Sequence, residues 1–485
     1  MSKNSSLTVT DQFCGAGGSS IGAKKAGMEV RLGLNHNALS IDTYSTNNPE
    51  TDVDCTDISA VDPRRYRSTD ILITSPECTN HSLAKGKKRE YYEKDLFGTV
   101  LMDPAEERSR ATMWDVPRFA EYHDYNMIVV ENVVDAGKWR LFEPWLGTMH
   151  ALDYEHEVVY YNSMFSWPTP QSRDRMYTFF WKRGNKKPDL EFRPLARCLS
   201  CQVDVESIQT WKKKLQWGRY NKQYFYRCPS CNEKVDPYYY AAFNAIDFTI
   251  PSKRIGERKI ALKPKTMARV KYGFETFGMH PMIITGRYTS GVACRVKDAY
   301  WDVMPTQPGD ASHAVAMPYL VETAYTHSGD NRSISSLSAV TTQTTRQTMA
   351  VVGFIADMRG KSKAHELTDP LMCVTASDGH HALISTDSFL TYYYGTSKKA
   401  SILSDPIGTI STNDHVGLVS GNSDNLTIDD LTYRMMRAHE IGKAMAFPST
   451  YIVKGNQKQQ TKQYGNAVTP PTMDQFLQRC AATFQ

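Results

Sequence analysis

Cysteine is the residue type whose placement says most about chemistry in this chain. The segment SPECTNHS, residues 75–82, puts Cys78 directly after Glu77 at the end of an apolar run. A neighbouring carboxylate raises the pKa of a thiol unless a cation compensates, so a thiolate at Cys78 needs a partner from elsewhere. Ten cysteines in 485 residues are too sparse for a disulfide scaffold. We therefore expect metal-binding or catalytic cysteines and a reducing, cytoplasmic location.

Four other cysteines have metal-ligand spacing. CLSC at 198–201 and CPSC at 228–231 form a CxxC-x26-CxxC pattern. Four thiolates so spaced can close a tetrahedral Zn²⁺ site with no coordination position open for catalysis. The alternatives are unrelated buried cysteines or a redox pair. We predict a structural zinc ribbon whose ligands are Cys198, Cys201, Cys228 and Cys231.

A glycine-rich stretch, FCGAGG at 13–18, can bring the backbone close to a nucleoside-bearing ligand. It lacks the GK[ST] of a P-loop and the full GxGxxG of a dinucleotide site, which favours a ligand without phosphates over NAD. Asn35 could hydrogen-bond a ribose hydroxyl, and Asp57 with Ile58 could bind an adenine ring. The predicted ligand site is therefore Phe13, Gly15, Ala16, Gly17, Gly18, Asn35, His36, Asp57 and Ile58.

Residues 1–184 contain the elements that must position these groups. Strands are predicted at LTVTDQF, EVRLGL, DILITS and MIVVENV, and helices at SIGAKKAG and ALSIDTYSTN. Strands rich in Val, Ile and Leu between helices are typical of a parallel sheet with helices on both faces. Ligands bind such sheets at the carboxyl ends of the strands, where FCGAGG, SPECTN and ENV fall.

The rest of the chain divides into three predicted regions: 185–245 with the zinc ribbon, 246–425 with β repeats, and 426–485. The repeats place Ala314, Ala350, Ala382 and Gly417 at equivalent points and predict stacked hairpins. Their loops could present Arg346, His380, His381 and His415. In the last region, TIDDLTYRMMRAHEIGKAMAF predicts one helix, and KQYGNAVTPP predicts a Gly-Asn turn before a helix that opens at Pro470.

Charge distribution bears on partners more than the net charge of +5 does. Residues 181–230 hold 12 Lys and Arg against 4 Asp and Glu, with six aromatic residues between 211 and 226. This mixture predicts a nucleic-acid surface; the alternative is a solvated basic face over core aromatics. Neither a signal peptide nor an apolar run of about 18 residues occurs, so no membrane association is expected.

Six blocks resemble, in order and spacing, those of the DNA (cytosine-5) methyltransferases: DQFCGAGGSS, DILITSPECTNHS, VVENV, PTPQSRDRMY, YRMMRAHEIGKAMAFP and QYGNAVTPP. The resemblance covers nearly the whole chain. It implies an α/β fold with a Rossmann-like methyltransferase core over 1–184, to which 426–485 returns. It also implies a second, mostly β target-recognition domain that contains the zinc ribbon. The implied cofactor is S-adenosylmethionine and the implied substrate is double-stranded DNA.

The resemblance also implies a reaction. Cys78 would add as a thiolate to carbon 6 of a cytosine flipped out of its duplex, so that carbon 5 can attack the methyl group. Glu131 would donate a hydrogen bond or proton to ring nitrogen 3, and must then be protonated or share a proton. Arg173 and Arg175 would line the same pocket, one near the cytosine oxygen and the other orienting Glu131.

Further contacts are implied outside that pocket. Asn466, with Ala467 beside it, would contact the methionine end of the cofactor, and Arg434 would brace the recognition region against the core. The segment AKGKKREYYEKD would be a mobile loop that closes over the duplex; the alternative is a disordered basic loop. The DNA contacts predicted in and before this loop are Ser82, Lys85, Lys87, Lys88 and Arg89.

Two positions depart from the family pattern. Glu77 stands where the family usually has proline, and Asn35 stands where it usually has a glutamate for the ribose. One carboxylate is lost at the cofactor and another is gained close by. Our hypothesis is that Glu77 takes part in holding the cofactor or the target base; the alternative is a passive substitution.

Other functions stay open at this point. RNA cytosine could be the substrate, although the long recognition region favours DNA. A modified group could be transferred in place of methyl, or the chain could be a catalytically silent DNA-binding module. We expect a monomer, and the sequence leaves open the recognition sequence, a cognate restriction nuclease and the biological role: restriction–modification, phage self-protection or regulation.

Overall fold

The structure is a computed structural model. It describes residues 6–76, 112–240 and 432–484 without a break, together with 242–245, 247, 250, 253–262, 264, 267 and 429 and the backbone of short strands elsewhere. Within these ranges, no helix has both the length and the apolar character that crossing a bilayer requires.

A seven-stranded sheet forms the main scaffold of the amino-terminal region. Its strands are β1 Thr8–Gln12, β2 Glu29–Asn35, β3 Asp52–Cys55, β4 Ile71–Thr74, β7 Met127–Val133, β8 Tyr154–Asn162 and β9 Asp174–Lys182, in the order β3-β2-β1-β4-β7-β9-β8. The short strands β5 Glu93–Lys94 and β6 Val100–Leu101 pair with each other. All four residues of β4 are buried, as expected for a central parallel strand covered on both faces.

Strand direction agrees with the sequence prediction for only part of this sheet. The first five strands in the order are parallel, as predicted. In contrast, β9 is antiparallel to both β7 and β8, so the sheet is mixed. A short connection can join β8 and β9 because antiparallel neighbours need no crossover helix.

Seven α-helices accompany the strands in the described part of the chain: α1 Gly18–Lys25, α2 Ala38–Asn47, α3 Asp115–His123, α4 Phe142–Ala151, α5 Ala438–Ala444, α6 Gln457–Asn466 and α7 Pro470–Ala481. Helices α1 and α7 pack closely. A Cβ on Gly22 would lie 2.7 Å from the Pro470 carbonyl oxygen and from the Asp474 nitrogen. Phe476 of α7 packs against Tyr177 of β9.

Five short strands form the region with the paired cysteines. Strands β10 Leu195–Cys198 and β11 Val203–Glu206 make one antiparallel pair, and β12 Ile208–Trp211, β13 Tyr224–Arg227 and β14 Lys234–Val235 make a three-stranded sheet. Cys198, Tyr224, Tyr226, Cys228 and Val235 are buried in the same apolar cluster as the main sheet. The ribbon therefore packs directly on the core.

The remaining strands are β15 Lys253–Arg254, β16 Ala314–Val315, β17 Tyr319–Glu322, β18 Ser333–Ser335, β19 Met349–Ala350, β20 Gly353–Asp357, β21 Ala364–Glu366, β22 His381–Ser385, β23 Ser388–Tyr392, β24 Ala400–Ile402, β25 Val416–Ser420 and β26 Thr432–Met435. One sheet has the order β15-β26-β16-β25-β23-β24, and two others have three strands each.

The four repeat positions all lie in strands, but in three different sheets. Ala314 pairs with Gly417 in the six-stranded sheet, whereas Ala350 and Ala382 belong to the two smaller ones. The prediction that His381 lies on a loop is wrong, because it begins β22 opposite Asp357. Arg346, His380 and His415 lie outside the described residues.

The single helix predicted between 427 and 447 is also wrong. Residues Thr432–Met435 form β26, which pairs with three other strands, and helix α5 begins only at Ala438. Long-range strand pairing overrides the local helical pattern here. Further along, Gly465 and Asn466 end helix α6 and do not form a separate turn, while Pro470 and Pro471 open α7 as predicted.

Candidate functional site

The glycine-rich turn connects β1 to α1 at the carboxyl edge of the main sheet. Phe13, Gly15 and Gly17 have positive φ angles of 55°, 51° and 83°. The Gly17 N–H donates to the Cys14 carbonyl oxygen at 2.8 Å, and the Cys14 N–H donates to the Leu34 carbonyl oxygen at 3.1 Å near the end of β2. The turn is thus tied to the neighbouring strand, and glycine provides the left-handed backbone at two of its positions.

The glycine-rich turn is tightly packed at Gly18 and has open space at Gly15. A Cβ on Gly18 would lie 2.0 Å from the Val468 carbonyl oxygen, and the Tyr451 hydroxyl donates to the Ala16 carbonyl oxygen at 2.6 Å. At Gly15, by contrast, the nearest described atom to an added Cβ would be a backbone oxygen 3.9 Å away. A ligand could therefore approach the backbone at Gly15.

The next two strands place polar groups at the same edge. Asn35 ends β2, and its Oδ1 accepts the Asn37 N–H at 2.9 Å. His36 and Asp57 are exposed, and Ile58 is buried. Because β1, β2 and β3 are adjacent and parallel, the glycine-rich turn, Asn35 and Asp57 follow three neighbouring strand ends. This is the arrangement that the sequence predicted for a ligand site.

Beneath the turn lies a buried polar group that sequence reasoning missed. The Ser20 hydroxyl donates to Asp11 Oδ2 at 2.7 Å and lies 2.6 Å from the Tyr44 hydroxyl. Burial raises the pKa of the Asp11 carboxyl to about 7, although the hydrogen bond from Ser20 lowers it. The aspartate inside the predicted strand LTVTDQF was the available signal.

Glu131 and Arg175 form an ion pair at the carboxyl edge of β7. Arg175 Nε donates to Glu131 Oε1 at 2.8 Å, and their side chains are 11% and 10% exposed. The pair arises because β9 runs antiparallel to β7 with Arg175 opposite Val133, two residues beyond Glu131. The predicted orienting contact between an arginine of QSRDR and Glu131 therefore has a geometric basis.

The segment that leads to Cys78 is attached to the same strand. Asn132 Nδ2 donates to the Pro76 carbonyl oxygen at 3.4 Å, and Thr74 at the end of β4 lies opposite Val130. The following predicted site residues lie outside the described residues: Glu77, Cys78, Ser82, Lys85, Lys87, Lys88 and Arg89.

Arg173 joins two of the predicted motifs. Its side chain is buried, and its two terminal nitrogens donate to the carbonyl oxygens of Gly465 and Ala467, each at 3.0 Å. These carbonyls flank Asn466, which was predicted to contact the cofactor. Arg173 thus positions the backbone on both sides of Asn466.

A second buried ion pair lies in the C-terminal segment and contacts Asp247 of the recognition region. Arg434 on β26 makes two 2.8 Å hydrogen bonds to Glu440 on α5, and Glu440 is fully buried. Glu440 also accepts the N–H groups of Asp247 and Arg437. This geometry agrees with the bracing contact expected of Arg434.

The four predicted zinc ligands lie together. The sulfur atoms of Cys198, Cys201, Cys228 and Cys231 are all within 4.8 Å of one another. The Cys201 N–H points to the Cys198 sulfur at 3.4 Å, a contact that favours a thiolate. Four converging cysteine sulfurs fit a closed tetrahedral Zn²⁺ site.

Two of the six aromatic residues in the predicted nucleic-acid surface pack inward, and the other four are half-buried. Tyr224 and Tyr226 are buried, and Phe165 of the core packs edge-on against Tyr226. Trp217 donates its indole N–H to the Val134 carbonyl oxygen at 2.8 Å, and the Tyr220 N–H donates to an Asp174 carboxylate oxygen. Burial of the Tyr224 and Tyr226 rings removes their apolar surface from water and so stabilises the fold.

Comparison with known sequences gives one family match. The sequence model described as "C-5 cytosine-specific DNA methylase" matches residues 7–216 and 315–482. The chain is 28% identical over 132 residues to the type II methyltransferase M.DdeI of Desulfomicrobium norvegicum, covering 26% of this chain and 28% of that protein. It is 31% identical over 148 residues to M.Eco47II of Escherichia coli, covering 29% and 35%. The matches thus span only about a third of these relatives.

Two solved structures align over nearly the full chain at low similarity. A Spodoptera frugiperda DNMT2 variant has 13% identity and a TM-score of 0.45, covering 99% of this chain and 100% of its own. A putative DNA modification methyltransferase encoded within an E. coli prophage has 14% identity and a TM-score of 0.41, covering 99% of each.

Proposed function

Because the chain belongs to the C-5 cytosine-specific DNA methylase family, we propose that it methylates carbon 5 of cytosine in duplex DNA through a covalent adduct with Cys78. The observation that carries this proposal is the pair of contacts on β7. Glu131 is held by Arg175, and the next residue, Asn132, holds the Pro76 carbonyl. Cys78 follows Pro76 by two residues, a span of at most about 7 Å. This short connection supports the proposal that Cys78 shares a pocket with Glu131.

The proposed reaction begins with addition of the Cys78 sulfur to carbon 6 of the cytosine, which makes carbon 5 nucleophilic. Carbon 5 then takes up the methyl group, loses its proton to a base, and the carbon–sulfur bond breaks to release the thiolate. Glu131 Oε2 would face ring nitrogen 3, because Oε1 is engaged by Arg175. Duplex DNA can present a cytosine to this pocket only with the base flipped out of its stack.

S-adenosylmethionine would supply the methyl group, and the residues around the glycine-rich turn fit such a ligand. Backbone approach is open at Gly15, while Asn35 and Asp57 lie after neighbouring strands. Arg173 fixes the backbone on either side of Asn466. We propose that these groups hold the cofactor and that Glu77 contributes a carboxylate in place of the one absent at Asn35.

Zn²⁺ is the proposed occupant of the four-cysteine site. The sulfurs converge, and no fifth donor is required for a structural ion. Such an ion would hold the β10–β11 turn to the loop before β14, and so fix the shape of the ribbon that packs on the core.

Mass spectrometry of DNA and RNA incubated with the protein and S-adenosylmethionine tests this function. We expect 5-methylcytosine in DNA, with the product lost in Cys78→Ala while DNA binding is kept. A duplex carrying 5-fluorocytosine should form an adduct stable to denaturation, because the fluorine cannot leave as a proton does. Methylated RNA with unmodified DNA, a heavier group on cytosine, or full activity of Cys78→Ala would each contradict the proposal.

Sequencing of a plasmid expressed with this gene would give the recognition sequence. The sequencing method must distinguish methylated from unmethylated cytosine. Methylated cytosines should recur at one short motif. Methylation without a shared motif would contradict recognition of a specific duplex sequence.

A further inference from the structure

The loop between β12 and β13 carries three consecutive lysines on the outside of the molecule. Lys212, Lys213 and Lys214 are all exposed. Lys212 Nζ donates to the Asn221 carbonyl oxygen at 2.9 Å across the base of the loop. No described carboxylate forms an ion pair with Lys213 or Lys214. The charges of these two residues therefore face solvent.

This loop is anchored beside the strand that carries Glu131. The Trp217 indole N–H donates to the Val134 carbonyl oxygen at 2.8 Å, and Val134 directly follows β7. Arg219 pairs with Asp135 at 2.6 Å. The anchoring contacts thus lie three and four residues along the chain from Glu131.

The core contributes further positive charge at the same place. Lys138 and Arg140 are exposed, and Lys138 Nζ lies 3.3 Å from the centre of the Trp217 ring. Residues 134–140 and 211–222 together hold seven lysines and arginines and one aspartate, Asp135, which Arg219 pairs. Trp217 joins these two segments into one surface, which we call the ribbon basic patch: Lys138, Arg140, Lys212, Lys213 and Lys214.

We propose that the ribbon basic patch binds phosphates of the duplex strand next to the target cytosine, so that the zinc ribbon is a DNA clamp as well as a structural module. This inference rests on the proposed function, which puts duplex DNA at the Glu131 pocket. A duplex that presents a base at Glu131 must pass close to the end of β7, where Val134 follows. Lysines at such a position neutralise phosphates without reading sequence.

A solvated surface without a ligand is the alternative for any run of lysines. Two features favour DNA. The patch combines charges from two chain segments that are held together by a half-buried indole contact, and its anchor point lies three residues from the proposed catalytic acid. Tyr224 and Tyr226 are buried, and the Trp217 ring is covered by Lys138, so the patch offers its lysines for phosphate contacts.

The test is the salt dependence of duplex binding, measured by fluorescence anisotropy on a short mixed-sequence duplex over a range of NaCl concentrations. The variant is Lys213→Gln with Lys214→Gln. The matched control is Lys186→Gln with Lys187→Gln, which removes the same charge. These lysines follow the carboxyl end of β9, where Trp181 pairs with Met127 at the start of β7. That end lies about 20 Å from Val134, the length of a seven-residue strand.

We expect the patch variant to bind more weakly and its slope of log K against log[NaCl] to fall in magnitude by about 1.8, or 0.9 per phosphate contact. The control should keep the wild-type slope. Both variants should keep the wild-type melting temperature, because the side chains are exposed and the ion pair of Lys187 with Glu157 is a surface pair that contributes little to stability. A wild-type slope in the patch variant, or an equal fall in the control, would overturn the inference alone. No duplex binding by the wild type, or lysine-dependent binding that prefers duplex RNA, would overturn the proposed function with it.

Discussion

Arg175 and Glu131 lie on adjacent antiparallel strands and share a hydrogen bond of 2.8 Å at the carboxyl edge of the sheet. Each side chain is about nine-tenths buried. Such a pair fixes the direction of the carboxyl group before any ligand binds, since a free glutamate side chain has several rotamers. The catalytic proposal depends on this fixed direction.

Replacement of Arg175 should therefore reduce the rate of the chemical step. In Arg175→Gln we expect kcat to fall about 10²-fold or more, the effect typical of losing one preorganised polar contact in an active site. The KM for S-adenosylmethionine should change little, because the contacts of Arg175 are at Glu131 and its own strand. Steady-state kinetics, followed by the amount of methylated DNA formed, measures both kcat and the KM for S-adenosylmethionine. Arg175→Lys, which keeps the charge, serves as the comparison and should recover part of kcat; wild-type kcat in Arg175→Gln would contradict the role.

The Arg434–Glu440 pair should matter to stability. Arg434→Met leaves a fully buried carboxylate without its guanidinium, which costs about 3–5 kcal/mol in comparable buried pairs. Arg434→Met combined with Glu440→Gln should be less damaging than the first change alone, because the stranded charge is gone while one acceptor for the Asp247 and Arg437 N–H groups stays. Urea unfolding of the wild type, Arg434→Met, Glu440→Gln and the double variant measures this. Strictly additive losses would mean that the two residues do not interact energetically.

Removal of zinc should loosen the ribbon and the core surface beneath it. We expect one Zn²⁺ per chain by elemental analysis, and a lower melting temperature after a chelator that zinc restores. Cys228→Ser should reproduce the chelated state. Cys55→Ser is the matched control, since Cys55 is exposed and distant in sequence from the four ligands. A protein purified under reducing conditions that lacks metal and does not respond to chelator would exclude the ribbon assignment.

Asp11 should make stability depend on pH. Its folded-state pKa of about 7 lies above the usual value of 3.8, so between these values the folded protein holds a proton that the unfolded chain has lost. The stabilisation is complete below about pH 4 and is lost as the pH rises through 7, with a slope of up to about 1.4 kcal/mol per pH unit. Asp11→Asn should remove this dependence.

Urea unfolding at several pH values from 5 to 8 tests the Asp11 prediction. The free energy of unfolding of Asp11→Asn should rise relative to wild type as the pH increases. Other groups titrate in both proteins, so the difference between the two is the informative quantity. A constant difference across this range would show that the Asp11 carboxyl does not change its protonation on folding.

Local pattern was enough to predict the elements whose burial is continuous. MIVVENV forms β7 over the same seven residues, and ALSIDTYSTN forms α2 over the same ten. The direction of β9 could not be predicted, because a strand has the same pattern in either direction. The strand Thr432–Met435 was missed for a related reason: its partners lie in segments far away in sequence.

Site residues could be predicted where the motif consists of residues close together in the sequence. They could not be predicted where the site depends on contacts between distant segments. The clustering of the four cysteines was predicted from their spacing. The contacts of Arg173 to residues 465 and 467 and the Asp11–Ser20–Tyr44 group join segments that only the fold brings together. The inward packing of Tyr224 and Tyr226 had a usable signal, because residues two apart on a strand point to the same face.

The contact of Gly18 with Val468 and of α1 with α7 has a consequence for biosynthesis. The turn that begins the chain's first helix rests on residues made some 450 positions later. During translation, α1 cannot pack against α7 until α7 has left the ribosome. Gly22 and its neighbours on α1 stay exposed to solvent until then. Nascent chains halted before Pro470 should consequently be targets for chaperones and proteases, and cofactor binding should begin only after the segment that forms α7 has been synthesised.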